Sequence, residues 1–364
     1  MKLLFTSLCL LFALTGRANS LAGADGPAAA DSPAAEYTAA PDGGDLAARV
    51  DALEKQTTTW GKIVANLPKI SGYAQLGYQW DNNSLDNSSS SNFSVMSVRL
   101  SLAGDIGRKV DYKIQLEFAS VKLIDAYLRY KINPAFGLQA GQFHTNFSLE
   151  GPFGALDMEA ITYAPVVSTI CGTPDSRDIG IAAFGAAARR EGFSIVDYSL
   201  GVFNGEGKNK ADANRSKDIV GRLKINPVRD LTLSGSYSYG EQGADYIRNV
   251  RVSGGIWYHS DQFWARSEYL GLRQKHGATR HVDGGYLSFG SWNSKKTLGN
   301  VFRYSYMDNG LSGTYVKQHE LLLGYDYRPI NHLRVQLNYS HSWYKDSEAK
   351  WGTNLVGISV IGMF

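Results

Sequence analysis

Residues 110–118 read Val110-Asp111-Tyr112-Lys113-Ile114-Gln115-Leu116-Glu117-Phe118. In an extended chain, Val110, Tyr112, Ile114, Leu116 and Phe118 point to one side and Asp111, Lys113, Gln115 and Glu117 to the other. The same period of two runs through Ile70–Trp80, Leu231–Tyr239 and Leu333–Tyr339. Each stretch predicts a strand with one apolar and one polar face. A soluble sandwich alternates in the same way, so three further features decide. The segments run about 9–11 residues, the length a tilted strand needs to cross hydrocarbon. Their apolar faces end in aromatics, at Trp80, Tyr130, Tyr239, Tyr258, Tyr306, Tyr327 and Phe364, the pattern of a girdle at a membrane interface. Short connectors such as 105–108, 132–135 and 329–331 alternate with long ones such as 81–93, 144–177, 204–216 and 271–281.

The same alternation predicts sixteen strands, at 69–80, 94–104, 109–118, 122–131, 136–143, 178–186, 193–203, 217–225, 231–239, 248–258, 262–270, 282–290, 297–308, 319–328, 332–343 and 353–364. An open sheet would leave two unpaired edges in hydrocarbon, so the sheet must close. The fold expected is all-β. It is a 16-stranded antiparallel transmembrane β-barrel over 69–364, preceded by a short helical or coiled-coil N-terminal segment. An even strand count puts both termini on the periplasmic side. Sixteen strands enclose a lumen too wide for side chains to fill.

The N-terminus carries targeting information. Lys2 is followed by an apolar run from Leu3 to Leu14 and then by small residues up to Ala22. This is the pattern of a signal peptide over 1–22, cut after Ser20 or Ala22. Residues 23–44, rich in Ala, Pro, Gly and Asp, predict a flexible linker. Leu46, Val50 and Leu53 fall at i, i+4 and i+7 after Asp45, which predicts a short periplasmic helix over 45–60. Two heptads are too short for a stable lone helix, which leaves self-association and a marginal helix as equal readings.

Composition excludes several classes. No apolar run reaches 18 residues, the length of a membrane-spanning helix. The net charge is +3, with basic residues scattered singly, so nucleic acid is not an expected partner. Cys9 lies in the leader, and Cys171 is then alone, so no intrachain disulfide can form. The seven His residues are dispersed, and no ligand spacing for a metal, no cofactor motif and no nucleophile motif is present. Neither enzyme nor cofactor is expected.

The connector 144–177 is far longer than the rest, and a loop of that size usually carries function. It holds His144, Glu150, Asp157, Glu159 and, at its end, Arg177. These are the candidate constriction residues. The strand phase sends Arg99, Lys113, Arg129, Arg222, Lys224, Arg251, Arg266, Arg303 and Arg334 into the lumen, along with Asp111, Glu117, Asp125, Asp197, Glu268 and Asp283. Arginine suits an anion path because its planar fork meets oxyanions in pairs. The same charges could instead pair across strands and only hydrate the wall. Carboxylates at a constriction would repel anions.

Several ordered stretches carry a family likeness: Ser97–Gly104, Val110–Phe118, Asp125–Tyr130, Gly141-Gln142-Phe143, Phe147–Glu150 and Gly201–Gly205. Together they resemble the phosphate-selective porin O and P family over about 69–364. The resemblance implies a sixteen-stranded trimeric barrel in the outer membrane of a Gram-negative bacterium, with the connector after the fifth strand folded inward. A last strand ending in Phe364 is similar to the sorting signal of such barrels. Phosphate-selecting members carry Lys and Pro after the Gly-Gln-Phe run; here His144 and Asn146 stand in those places. The loop has no lysine, so high-affinity phosphate selection does not carry over. The expected activity is passive diffusion of small hydrophilic solutes with a weak preference for anions, in contact with outer-membrane lipid. The alternatives are a secreted soluble carbohydrate-binding β-protein, which would lack the aromatic ends and the turn–loop alternation, and an adhesin or enzyme built on a barrel.

Overall fold

The computed structural model describes residues 67–83, 88–172, 176–190, 192–310, 317–345 and 352–364, together with Arg49 and Asp51. Those two residues aside, the signal peptide, the linker and the helix expected over 45–60 lie outside the described residues.

The chain forms β1 (Lys69–Asn83), β2 (Ser88–Ile106), β3 (Val110–Glu117), β4 (Lys122–Asn133) and β5 (Phe136–His144), then a short helix α1 (Pro165–Cys171). There follow β6 (Arg177–Arg190), β7 (Phe193–Phe203), β8 (Asp218–Val228), β9 (Leu231–Gln242), β10 (Ile247–His259) and β11 (Phe263–His276). The last five strands are β12 (Ala278–Trp292), β13 (Leu298–Asp308), β14 (Lys317–Ile330), β15 (Leu333–Lys345) and β16 (Thr353–Met363). Each strand pairs with the next, and β16 returns to β1, so the sheet closes into one barrel. At the seam Tyr73 lies opposite Met363 and Asn83 opposite Thr353. Phe364 completes it: its N–H donates to the Gly72 carbonyl and its carbonyl accepts from the Gly72 N–H, both at 3.0 Å. The sixteen predicted strands are therefore present in order, and the soluble sandwich is overturned by closure.

Burial along each strand runs opposite to that of a water-soluble protein. On β14, Leu321, Leu323, Tyr325 and Tyr327 are exposed, while Glu320 and Asp326 are buried. On β15, Leu337 and Tyr339 are exposed, while Arg334, Gln336, Asn338 and Ser340 are buried. A contiguous apolar exterior of this kind matches lipid, and a polar interior matches a hydrated lumen.

Two expectations need correction. The connectors 81–93 and 271–281 are largely strand. β1 runs to Asn83 and β2 starts at Ser88, while β11 and β12 meet across Gly277 alone, whose φ of +67° is one that glycine adopts freely. Beyond the hydrocarbon, polar residues pair their main chains as well as apolar ones do, so loss of apolar alternation does not mark the end of pairing. Asp283 also points the other way from its expected phase. Val282, Tyr286 and Ser288 are the buried, inward residues of β12, and Asp283 shares the outward face with Leu287 and Phe289.

The principal apolar core lies inside the barrel. Phe147, Ala164, Val166, Val167, Ile170 and Cys171, from the connector between β5 and β6, pack with Phe143, Phe203, Leu270, Leu272, Val282, Tyr286 and Met307 of the wall. Each large aliphatic side chain buried there contributes about 1.5–3 kcal/mol, which holds the connector against one side of the lumen.

Candidate constriction and pore wall

The 145–176 connector enters the barrel because the wall of β8–β15 offers it partners. Glu268 accepts the Leu149 N–H at 2.8 Å and the Ser148 hydroxyl at 2.9 Å. Gly255 leaves room beneath it: a Cβ there would come within 2.6 Å of Leu149 Cδ1. Farther along, Asn338 Oδ1 accepts the Ile161 N–H at 3.1 Å. Gln336 Nε2 donates to the carbonyls of Met158 and Glu159. Pro165 starts α1, where its missing N–H costs nothing. The tail of the connector is buried enough to alter its own acid–base chemistry. Burial, helped by the nearby Glu268 carboxylate, pushes the Cys171 thiol well above its ordinary range. Burial, with Glu150 adding to it, raises the Tyr163 phenol to about 12. Both groups therefore stay protonated.

Four of the nine cations expected along the path are underneath this connector. Arg266 is buried between Glu150 at 3.1 Å and Glu159 at 2.9 Å. The Phe153, Trp264 and Trp257 rings lie 4.8, 5.5 and 5.9 Å from its guanidinium. Arg303 pairs with Glu320 at 2.8 Å and donates to the Thr162 carbonyl at 2.7 Å. Arg334 pairs with Asp326 and donates to three loop carbonyls, those of Ala155, Leu156 and Met158. Arg251 is buried with Ser238 at 3.1 Å and Asp218 at 3.7 Å. All four point inward as expected, but they hold the wall and the connector and do not face open lumen. Glu150 and Glu159 are spent in the same way, so the expected acidic constriction is largely neutralised. Glu150 also accepts the Ala164 N–H at 3.0 Å.

The remaining cations face open space. A cavity of about 460 Å³ lies between Pro152–Asp157 of the connector and the wall, lined by Arg99, Lys113, His144 and Arg177 with Asp125 and Asp157. His144 and Arg177, expected on the loop, are the paired terminal residues of β5 and β6; the His144 Nδ1 lies 3.3 Å from the Ser176 carbonyl. Among the described carboxylates of the loop, Asp157 alone is exposed, capping the Gly154 N–H at 3.1 Å. A second cavity of about 310 Å³ is lined by Arg129, Arg222 and Lys224, with Asp197 and the amides of Gln139 and Asn146. Arg222 reaches the Ser148 carbonyl at 3.2 Å.

Three of the five open wall cations, Arg99, Lys113 and Arg129, are paired with carboxylates, and the pairing has a direction. Arg99 meets Glu117 at 3.1 Å, Lys113 meets Asp125 at 3.0 Å, and Arg129 meets Asp111 at 3.0 Å. Arg177 shares Asp125 at 2.8 Å, and Lys131 shares Asp111 at 2.6 Å. The basic side chains of the first three pairs are 21%, 31% and 34% exposed, against 8%, 5% and 12% for their carboxylates. The acids lie back against the wall and hold the cations forward. The inward phase signalled these cations in the sequence. Nothing there signalled Gln336, Asn338 or Gly255 as seats for the loop, because their partners are more than 100 residues away.

The model of the phosphate-selective porin O and P family matches residues 69–249, roughly half of the chain. No curated protein sequence matches significantly. Among solved structures, the fold is similar to an anion-selective porin from Comamonas acidovorans, at 14% identity and a TM-score of 0.62, covering 82% of this chain and 99% of that one. It is similar to Salmonella typhi OmpF in a complex with daunomycin, at 9% identity and a TM-score of 0.62, covering 82% and 98%. A trimer form of OmpT, an outer-membrane protein of Vibrio cholerae, matches at 11% identity and a TM-score of 0.56, covering 82% and 100%. At such identities the structural likeness speaks for the fold, and the sequence match speaks for the kinship. The chain is thus an outer-membrane porin, a diffusion channel, and belongs to the phosphate-selective porin O and P family.

Proposed function

We propose that this porin passes small hydrophilic solutes with a weak preference for anions, set on the side of the lumen that the loop leaves open. One observation carries the reading: half-buried Arg99, Lys113 and Arg129 stand forward of more deeply recessed carboxylates, while Glu150 and Glu159 of the loop are occupied by Arg266. Low-dielectric walls focus such a field, so a modest excess of forward-facing cations biases which ion enters. Arg99, Lys113 and Arg129 each already have a carboxylate partner, and His144 replaces a lysine, so the preference is one of flux and not of tight phosphate capture. The family's name and the Comamonas porin's description point the same way. Transport is passive and no chemical step is involved.

Planar-bilayer recording in a KCl gradient tests this. The reversal potential should carry the sign of chloride preference. It should shrink from 0.1 M to 1 M salt, as the screening length falls from about 10 Å to about 3 Å. A potential of cation sign at low salt overturns the reading.

The assembly expected is a homotrimer, a reading supported by the trimeric OmpT relative and by the Leu46, Val50, Leu53 repeat. An unheated gel and light scattering of the solubilised protein would give one third of that mass if it were a monomer. Export by the 1–22 leader, with a linker and a short helix ahead of the barrel, predicts a mature N-terminus just after Ser20 or Ala22 by mass spectrometry.

A further inference from the structure

The outer ends of β10, β11 and β12 carry cations that the channel does not use. The strand phase there is set by buried Arg251, Leu270, Leu272 and Val282 and by exposed Val252, Tyr269 and Leu287. Arg248, Arg273, Lys275 and His281 follow the outward phase, and all four are exposed. Pairing sets Arg248 directly opposite Lys275 and Arg273 directly opposite His281. Like charges facing each other on one side of a sheet, as Arg248 and Lys275 do, destabilise it; that face also carries the carboxylates of Glu241, opposite Arg248, and Asp283, opposite Gly271. Glu241 approaches Arg248 at 3.6 Å; among the described residues, Arg273 and Lys275 have no carboxylate partner.

The depth of this group is readable from its neighbours. Tyr269, Gly285, Tyr306, His319 and Trp343 form one continuous row across β11 to β15, and His319 stacks on Trp343 with ring planes 4° apart. Such a row marks the edge of the hydrocarbon. Arg273 lies four residues beyond it, about 13 Å along the strand and less along the membrane normal because strands tilt. The cations therefore reach the headgroup layer, above lipid tails and beside the barrel.

We infer that Arg248, Arg273 and Lys275 form a docking site for the phosphate-bearing headgroup of an outer-leaflet lipid. A phosphate between Arg248 and Lys275 turns a repulsive pair into a bridged one, and Arg273 offers a planar fork to the same headgroup. The aromatic row below receives the acyl chains. The inference rests on the outer-membrane reading, which places these strand ends outside the cell.

Native mass spectrometry of the detergent-solubilised full-length barrel tests it, with bisphosphorylated lipid A, its dephosphorylated form and inorganic phosphate as probes. The unaltered protein should retain bisphosphorylated lipid A. The Arg273→Gln/Lys275→Gln double variant should retain it about thirtyfold less well. Dephosphorylated lipid A should bind the unaltered protein as poorly as the phosphorylated lipid binds the variant. Lys295→Gln, an equal charge loss in the turn between β12 and β13, should change nothing. Equal retention by the double variant, or equal retention of the dephosphorylated lipid, overturns the inference. So does displacement by millimolar inorganic phosphate, which would mean that the cations hold a free anion. Heat-modifiable gel mobility reports folding; if the double variant does not fold, Arg248→Gln alone should retain the lipid about fivefold less well, and equal retention overturns the inference. A barrel that retains the lipid but passes no current would leave this inference standing and bring down the channel reading.

Discussion

The two sides of the lumen carry the same residue type to opposite ends. On β10, β11, β13 and β15, Arg251, Arg266, Arg303 and Arg334 point inward and are buried. On β2, β3, β4 and β8, Arg99, Lys113, Arg129, Arg222 and Lys224 also point inward and border open cavities. Strand phase is identical in the two sets; the difference is the connector that lies over the first. Pointing into a barrel is therefore not the same as lining its pore. A buried arginine becomes part of the loop's seat, and the open one becomes part of the field that a solute meets.

Breaking the covered side should have the largest effect. Arg266→Ala leaves buried Glu150 and half-buried Glu159 without their cation, a loss on the order of 3–5 kcal/mol to the seated loop. Single-channel conductance should rise and become noisy as the loop leaves the wall. A quiet channel of unaltered conductance would mean that Arg266 does not hold the loop. Ile170→Ala attacks the same seat through its apolar core, at a cost of about 2–4 kcal/mol from the cavity left behind. Its signature should be a lower thermal midpoint with the ion preference kept, and a shift in reversal potential as large as that of a lumen cation would contradict it.

The open side should answer differently. Lys113→Ala or Arg129→Ala should lower the anion-to-cation permeability ratio by about twofold to fourfold, the worth of one charge at roughly 5 Å in wet surroundings. Conductance should change little. If neither variant moves the reversal potential, the recessed carboxylates already cancel these cations. The smallest effect sharpens the comparison from within the seat. With its thiol pushed up by burial, Cys171 should resist a maleimide over pH 7–9, and combining it with Arg266→Ala should speed labelling. Prompt labelling of the unaltered barrel would show that α1 is not packed as described.

How much was legible follows from the range of each interaction. Alternation in Val110–Phe118 and Leu231–Tyr239 is a local property of an extended chain in contact with two solvents, so the strands and their inward faces could be read directly. Asp283 and the 271–281 hairpin were misread for a local reason as well. Polar residues at the membrane's outer edge pair their backbones without showing which face they serve. The constriction was legible as a long loop but not as a structure, since Arg334 and Ala155, or Asn338 and Ile161, meet only after the barrel closes.

The order of residues alone dictates a lipid-facing exterior, a polar lumen, the strand order and the loop that could enter it, because hydrophobic period and connector length act residue by residue. Which charges remain available to a solute depends on the closed barrel with its connector in place. A buried ion pair depends on where two distant segments come to rest, and seating the Glu150–Glu159 stretch of the connector on the wall covered Arg266 while leaving Arg99, Lys113 and Arg129 bordering open cavities.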